Sequence, residues 1–180
     1  MSADKNNFNS EVEIVYKSLT EVLRERGDPL RIMGQQNYFK NEVKFVGLTT
    51  GEVRSYTRMV FDDRSDCNQD FIFTLVERLM SSMVFEYRGA AIHLATLLRK
   101  QWQDEDFYLF QSWVERYVDN WVLGDEIANH LLDKFILDDP QTTERTFKWA
   151  ASSNPRMRRA SAVCLVVRCE NRITQGTCCV

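Results

Sequence analysis

Two Asx-Pro dipeptides, Asp139-Pro140 and Asn154-Pro155, constrain the fold of this chain more than any other sequence feature. In each, the Asp or Asn side chain can cap a helix N-terminus, and proline takes the first helical position, where its missing N–H costs nothing. Each dipeptide therefore predicts the start of a helix. Because the two prolines lie 15 residues apart, the helix between them must be short and followed by a tight turn.

The rest of the chain also favours helices. Long segments show apolar residues at a 3.6-residue period, and the 180 residues include only three prolines and seven glycines. No alternating valine-rich run indicates a strand, so we predict an all-α fold. In the region of the two dipeptides, helices are expected over residues 121 to about 137, 140 to 152 and 155 to about 169.

The spacing of these helix starts predicts a helical-repeat solenoid. Trp121 lies 34 residues before Pro155, and an earlier helix start at Asp104 lies 36 residues before the first of the two prolines. These offsets fit stacked two-helix repeats in the size range of HEAT-like superhelices. The 34-residue shift also places Asp125 and Arg159 at equivalent positions of adjacent repeats. An acid and a base are therefore expected to face one groove.

Length and composition favour one domain, because 180 residues with 44% apolar content can bury one ample core. We predict a flexible N-terminus over residues 1–9, a HEAT-like helical-repeat domain over 10–170 and an irregular tail over 171–180. The spacing Ser10-x-x-Glu13 is typical of a capping box and predicts the start of the first helix.

Three local patterns refine the organisation between the first helix and the middle of the chain. Asp28-Pro29 is interpreted as a turn, followed by a short helix near residues 31–39. Thr49 and Glu52 have capping-box spacing and predict another helix start. Residues 62–68 form the most loop-like stretch.

Several classes of protein and site are disfavoured. No apolar run reaches membrane-spanning length, and the polar start is not a signal peptide, so an intracellular, soluble protein is expected, in either nucleus or cytoplasm. The five cysteines lack CxxC or Cys/His metal spacing, which favours reduced thiols and no metal site. P-loop, GxGxxG, GxSxG and HExxH motifs are absent, so no cofactor is expected. We expect a monomer.

The net charge of −3 hides an asymmetry. Residues 141–180 contain seven Lys or Arg and two Asp or Glu, so the remainder of the chain is strongly acidic. This basic end, which includes Lys148, Arg156 and Arg158, is a candidate nucleic-acid patch. The alternative interpretation is an ordinary solvated helix surface.

Asp125 is the candidate catalytic carboxylate. It lies four residues after Trp121, so indole and carboxylate share one helix face about one turn apart. The alternative is that Trp121 anchors the core and Asp125 is a solvated helix acid.

The chain resembles a known family over roughly residues 10 to 170. It is similar to the DNA alkylation repair proteins, the HEAT-like-repeat alkylpurine DNA glycosylases of the bacterial type. The matching stretches occur in family order and are Tyr38-Phe39-Lys40, Phe45-Val46-Gly47 with Arg54, Glu86-Tyr87-Arg88-Gly89-Ala90-Ala91, Trp121 to Asp125, and Trp149-x-x-Ser152-x-Asn154-x-x-Met157-Arg158-Arg159-Ala160.

This resemblance implies roles for five residues. Asp125 would be the catalytic carboxylate, Trp121 the aromatic beside the lesion sugar, and Arg159 the arginine that grips the DNA backbone. Tyr38 and Arg54 fall where the family makes further DNA contacts. The implied partner is duplex DNA with cationic N3- or N7-alkylated purines, and the implied reaction is their excision without a base-flipping pocket.

The sequence also departs from the family pattern. Family members continue through further helices, one with a second tryptophan, so this solenoid is expected to be C-terminally short. Val122 replaces an acidic residue that often follows the first tryptophan. Two alternatives therefore stay open: a non-catalytic HEAT-like module that binds DNA or protein, and self-association through an uncapped apolar helix face.

Overall fold

The computed structural model describes residues 2–61 and 68–174. Within these ranges the regular structure is helical, and β-pairing is limited to an isolated bridge between Lys44 and Val84. The all-α prediction is confirmed, and the order of helices is compatible with a superhelical repeat. The helices are α1 (Ser2–Glu25), α2 (Pro29–Gln36), α3 (Thr50–Phe61), α4 (Gln69–Met80), α5 (Phe85–Leu97), α6 (Asp106–Tyr117), α7 (Trp121–Ile127), α8 (Asp133–Asp138), α9 (Pro140–Lys148) and α10 (Pro155–Thr174).

All three prolines stand at the first position of a helix, directly after an Asp or Asn. The capping oxygen accepts a hydrogen bond from the backbone N–H two residues later, as expected for an N-cap. The interpretation of Asp28-Pro29 as a turn was wrong, because this dipeptide starts α2 by the same chemistry as the other two. The N···O distances are 2.9 Å from Leu30, 2.9 Å from Gln141 and 3.0 Å from Arg156.

Other helix ends agree with the sequence in part. Thr49 and Glu52 form the predicted capping box, with the Thr49 N–H 2.8 Å from Glu52 Oε2 and the Glu52 N–H 3.3 Å from Thr49 Oγ1. Ser10 lies inside α1 and does not cap it, because the helix already begins at Ser2. The limits predicted for the domain and the tail stay predictions. Residues 62–67 and 175–180 lie outside the described part of the chain.

The chain divides into two compact units, Met1–Leu98 and Arg99–Val180. In the first unit, α4 and α5 pack against each other, and α1 and α3 pack on this pair. Burial of leucine and valine side chains along these helices supplies the apolar area that stabilises the unit. The fully buried core includes Leu19, Leu23, Leu75, Val76, Leu79 and Leu94.

A buried carboxylate fixes the connection between α2 and α3. Glu86, 2% exposed, accepts hydrogen bonds from three successive backbone N–H groups, at 3.0 Å from Val46, 2.9 Å from Gly47 and 3.1 Å from Leu48. Gly47 has a φ of +88°, and a Cβ there would lie 2.0 Å from the Asp28 carbonyl oxygen. The connection therefore needs both a glycine and the Glu86 carboxylate.

The first unit also contains a buried histidine on α5. His93 on α5 is 8% exposed, and its Nε2 has no hydrogen-bond partner among the described residues. Burial, together with the positive charges of Arg58 and Arg54, lowers the pKa of His93 to about 4. The imidazole is therefore neutral in the folded protein near pH 7.

The second unit is built around aromatic side chains. Trp149 stacks on Phe107 with ring centroids 5.6 Å apart, and Trp102 stacks on Phe135 at 6.0 Å. Trp149, which belongs to the last family-like stretch, is thus a core residue, 7% exposed. Helix α10 packs against α7, α8 and α9 over this core.

The helix predicted from residue 121 to about 137 exists, with one irregularity. A π-helical segment, Ala128–Leu132, joins α7 to α8. Such a segment inserts one extra residue per turn and changes the direction in which the preceding side chains point. The side chains of α7 are therefore rotated relative to those of α8.

We expect Glu86→Ala to lower the free energy of unfolding by about 3 kcal/mol, because three N–H groups lose their acceptor. Glu86→Gln should lose less, since its amide oxygen still accepts. Urea unfolding followed by circular dichroism measures both effects. Glu42→Ala, which removes an exposed carboxylate of the same connection, is the control. Equal stability of the Glu86→Ala and Glu42→Ala variants would contradict the proposed role of Glu86.

We also expect the stability of the protein to fall as the pH drops from 6.5 to about 4. In that window the unfolded state protonates His93 and the folded state does not, which adds a slope of up to about 1.4 kcal/mol per pH unit. Unfolding at several pH values should show this slope in the wild type and in His130→Gln, but not in His93→Gln. An unchanged slope in His93→Gln would count against a buried neutral imidazole.

Candidate nucleic-acid interface

The N-terminus of α7 presents two of the predicted site residues. Asn120 caps the helix, with its Oδ1 3.0 Å from the Leu123 N–H. Trp121 is the first helical residue and is 48% exposed. The interpretation of Trp121 as a core anchor is therefore wrong. Asp125 follows one turn later, so its carboxylate lies on the same side of α7 as Trp121.

The N-terminus of α10 presents the arginines. Asn154 and Pro155 start the helix, and Met157 and Ala160 anchor its first turns in the core, at 2% and 0% exposure. Arg159 lies between these two anchors in sequence and is exposed. The packing of α10 therefore directs the Arg159 side chain away from the core and towards α7.

Asp125 and Arg159 form a bidentate ion pair. Arg159 Nε donates to Asp125 Oδ1 and Arg159 Nη2 donates to Asp125 Oδ2, both at 2.7 Å. The hydrogen bond to Asp125, and the attraction of its charge, raise the pKa of Arg159, although partial burial opposes the shift. The Asp125 side chain is 24% exposed and that of Arg159 47%. The acid and base for which the 34-residue spacing predicted equivalent positions in adjacent repeats thus contact each other directly.

Trp121 completes the cluster. The Arg159 guanidinium carbon lies 5.6 Å from the centroid of the Trp121 ring, within the range of a cation–π interaction. The structure therefore brings together the three residues for which the sequence predicted catalytic roles. We call Trp121, Asp125 and Arg159 the cleft triad.

The other basic residues that the sequence predicts as DNA contacts in this unit lie around the turn between α9 and α10. Lys148 and Arg156 are exposed. Arg158 is exposed too, but its Nη1 donates to the carbonyl oxygens of Ser152 and Ser153, at 2.8 and 3.0 Å. Part of its hydrogen-bonding capacity therefore holds the turn in place, a local role that the sequence did not indicate.

Tyr38 and Arg54 belong to the first unit. Tyr38 follows α2 and is 76% exposed. Arg54 lies on α3 and is exposed, one turn before Arg58, and both arginines lower the pKa of His93. Arg58 was not predicted as a site residue, although its four-residue spacing from Arg54 places the two on one helix face. Together they make a positive strip on α3.

A cavity of about 340 Å³ lies elsewhere in the second unit, between α6, α8 and α9. Tyr108, Lys134, Asp138 and Arg145 are among its lining residues, and it contains no member of the cleft triad. The triad is accessible to solvent at its own position, since Trp121 is 48% exposed and the side chains of Arg159 and Asp125 are 47% and 24% exposed.

Other kinds of site receive little support from the described residues. In the ranges 2–61 and 68–174, no group of three or more His, Cys, Asp or Glu side chains is placed to hold a metal ion. None of the helices in those ranges is both long and apolar enough to cross a membrane. Cys164 and Cys169 are free thiols, and burial raises the pKa of Cys164 to about 12, which keeps that thiol protonated.

Comparison with known proteins identifies the family. A search of curated proteins found no match. The sequence pattern of the family described as DNA alkylation repair enzyme matches residues 19–179. This range includes the connection between α2 and α3, the cleft triad and the turn between α9 and α10. The match covers most of the chain, so this protein belongs to the DNA alkylation repair enzyme family.

Proposed function

We propose that this protein is a DNA glycosylase that excises cationic N3- and N7-alkylated purines from duplex DNA. The observation that supports this most is the convergence of a carboxylate, an indole and a guanidinium on an exposed surface, in a member of the DNA alkylation repair enzyme family. We further propose that it acts as an intracellular monomer, in nucleus or cytoplasm, without a metal or cofactor.

The proposed reaction needs little acid catalysis. An N3- or N7-alkylated purine already has a positive charge, so it leaves as a neutral base when the glycosidic C–N bond breaks and takes the bonding electrons. The positive charge then develops on the sugar as an oxocarbenium ion. Water adds a hydroxyl group to C1′ and releases a proton to solvent.

Asp125 and Trp121 suit the stabilisation of that developing charge. A carboxylate near C1′ stabilises the oxocarbenium ion electrostatically and orients the attacking water, as carboxylates do in glycoside hydrolysis. The exposed ring of Trp121 adds a cation–π interaction with the sugar. Both groups lie on the same side of α7, one turn apart.

The basic residues are proposed to hold the DNA backbone. Arg159 binds a phosphate next to the lesion, and the exposed Lys148, Arg156 and Arg158 extend this contact along the strand. Such contacts fix the register of the duplex without reading its sequence. In the first unit, Tyr38 and Arg54 are proposed as further DNA contacts, with Arg54 supported by the neighbouring charge of Arg58.

The solvent exposure of Trp121 and Arg159 suits excision that leaves the base outside any pocket. Ordinary glycosylases extrude the damaged nucleotide into a shaped cavity. A surface that contacts the sugar and backbone, and lets the cationic base depart on its own, needs no such cavity.

A non-catalytic DNA-binding module is the competing function. It is favoured by one observation, that both carboxylate oxygens of Asp125 are already bound by Arg159. In that case the pair would be a structural clamp between α7 and α10, and the basic turn alone would contact DNA.

Asp125→Asn should lower the excision rate by about 100-fold or more, because the charge opposite the oxocarbenium ion is lost. Duplex binding should be unchanged or slightly tighter, since repulsion of phosphates decreases. Release of 7-methylguanine and 3-methyladenine from alkylated duplex DNA measures the rate.

Glu126→Gln, at the adjacent carboxylate, is the matched control and should excise like the wild type. Equal release by wild type and Asp125→Asn would refute the assignment. Duplex binding without release by the wild type would support the binding module.

Arg159→Ala should weaken binding to undamaged duplex and flatten its salt dependence by about 0.9 in log K against log [salt], the value for one phosphate contact. Fluorescence anisotropy between about 50 and 200 mM salt measures this slope. Arg116→Ala, at an exposed arginine outside the basic end, should leave the slope unchanged. A wild-type slope in Arg159→Ala would exclude the phosphate contact.

A further inference from the structure

The cleft triad already contains a cation. Arg159 places a planar positive group against the Trp121 ring, at 5.6 Å, and within 2.7 Å of both Asp125 oxygens. An indole face and a carboxylate are the two features proposed above to stabilise a cationic sugar. In the free protein the guanidinium therefore occupies the position that suits a substrate cation.

This occupancy has a cost for catalysis. A carboxylate with both oxygens hydrogen-bonded to a guanidinium has most of its negative charge balanced locally. A second cation placed between Asp125 and the same face of Trp121 would have to displace the guanidinium or share the carboxylate with it. The arrangement of the free protein thus lacks the electrostatic stabilisation that the proposed reaction needs.

The pair is nevertheless easy to separate. Both side chains are partly exposed, at 47% for Arg159 and 24% for Asp125, and exposed ion pairs contribute only about 0–1 kcal/mol to stability. Two of the five N–H donors of Arg159 bind Asp125, and Nη1 has no partner among the residues the structure describes. A backbone phosphate can therefore contact Nη1 first, and then take the whole guanidinium as a bidentate acceptor.

We propose that Arg159 is an internal blocker of the cleft: its guanidinium fills the cation position between Trp121 and Asp125 in the free protein, and leaves it when a duplex phosphate binds. This inference rests on the proposed function and adds its regulation. It makes excision depend on prior contact with the DNA backbone. It also predicts that, once Arg159 is removed, the cleft accepts a small planar cation from solution.

The first test uses methylguanidinium as the probe and no DNA. Two-dimensional NMR of the indole N–H groups follows Trp121, whose signal is assigned by its loss in Trp121→Phe. We expect Arg159→Ala to bind methylguanidinium up to about fivefold more tightly than the wild type, the factor that corresponds to the roughly 1 kcal/mol by which an exposed ion pair can hold the guanidinium in place. The double variant Arg159→Ala with Asp125→Asn should lose this binding.

Two controls isolate the blocker from general effects. Arg158→Ala removes the neighbouring exposed arginine, which has no contact with Trp121 or Asp125 among the interactions described, and should bind the probe no better than the wild type. Tetramethylammonium at equal ionic strength should not reproduce the response, because it cannot donate hydrogen bonds to Asp125. Equal binding by Arg159→Ala and the wild type would overturn the proposal.

The second test follows Arg159 itself. The Nε–H signal of Arg159, assigned by its loss in Arg159→Ala, should shift when undamaged duplex is added to the wild type. In Asp125→Asn without DNA it should already be displaced towards that position. An unchanged wild-type signal with duplex bound would show that the ion pair persists on DNA, and would overturn the release step.

The outcomes separate this inference from the proposed function. Methylguanidinium binding by Arg159→Ala, with no base release by the wild type, would support the blocked cation position and refute the glycosylase. Base release by the wild type that depends on Asp125, without any gain in probe binding, would support the glycosylase and refute the blocker.

Discussion

Asx-Pro helix starts determine where the chain can place its functional side chains. A proline cannot continue a helix from the preceding segment, and an Asp or Asn before it satisfies the free N–H groups of the next one. The short helix α9 therefore has to fit between α8 and α10, and α10 has to begin beside the N-terminal part of α7. The contact between Asp125 and Arg159 is a consequence of that geometry, since the buried Met157 and Ala160 hold the first turns of α10 against the rest of the second unit.

The ion pair at this meeting point has two physical descriptions that differ in their consequences. As a contribution to stability it is small, because both partners are partly exposed. Its effect on the local charge is large, because the ion pair determines whether Asp125 presents a negative charge or is neutralised by Arg159. A surface of this kind responds strongly to a polyanion, since a row of phosphates competes for the same guanidinium. Binding and chemistry would then be linked through a single side chain.

Much of this organisation was predictable, and what was not depended on contacts distant in sequence. The starts of α9 and α10 and the capping box of α3 follow from neighbouring residues, so local chemistry sufficed; Asp28-Pro29 was misjudged only because the same rule was not applied to it. The facing of Asp125 and Arg159 followed from the repeat spacing, but their direct contact depends on side-chain geometry. The role of Glu86 could not be derived, because the N–H groups it binds lie 38 to 40 residues earlier. Likewise, periodicity alone could not distinguish an exposed Trp121 from a buried one.

The π-helical segment Ala128–Leu132 lies between α7 and α8, so the side chains of the two helices are not bound to one helical phase. Because its extra residue offsets the helical phase by about 100°, α8 can keep Phe135 and Ile136 in the core while α7 points Asp125 at α10. A regular α-helix of the same sequence would have to satisfy both ends with a single phase. The irregular turn thus uncouples the rotation of α7 from that of α8. Insertion or deletion of one residue in this turn would reorient the Asp125 side chain and leave the aromatic core in place.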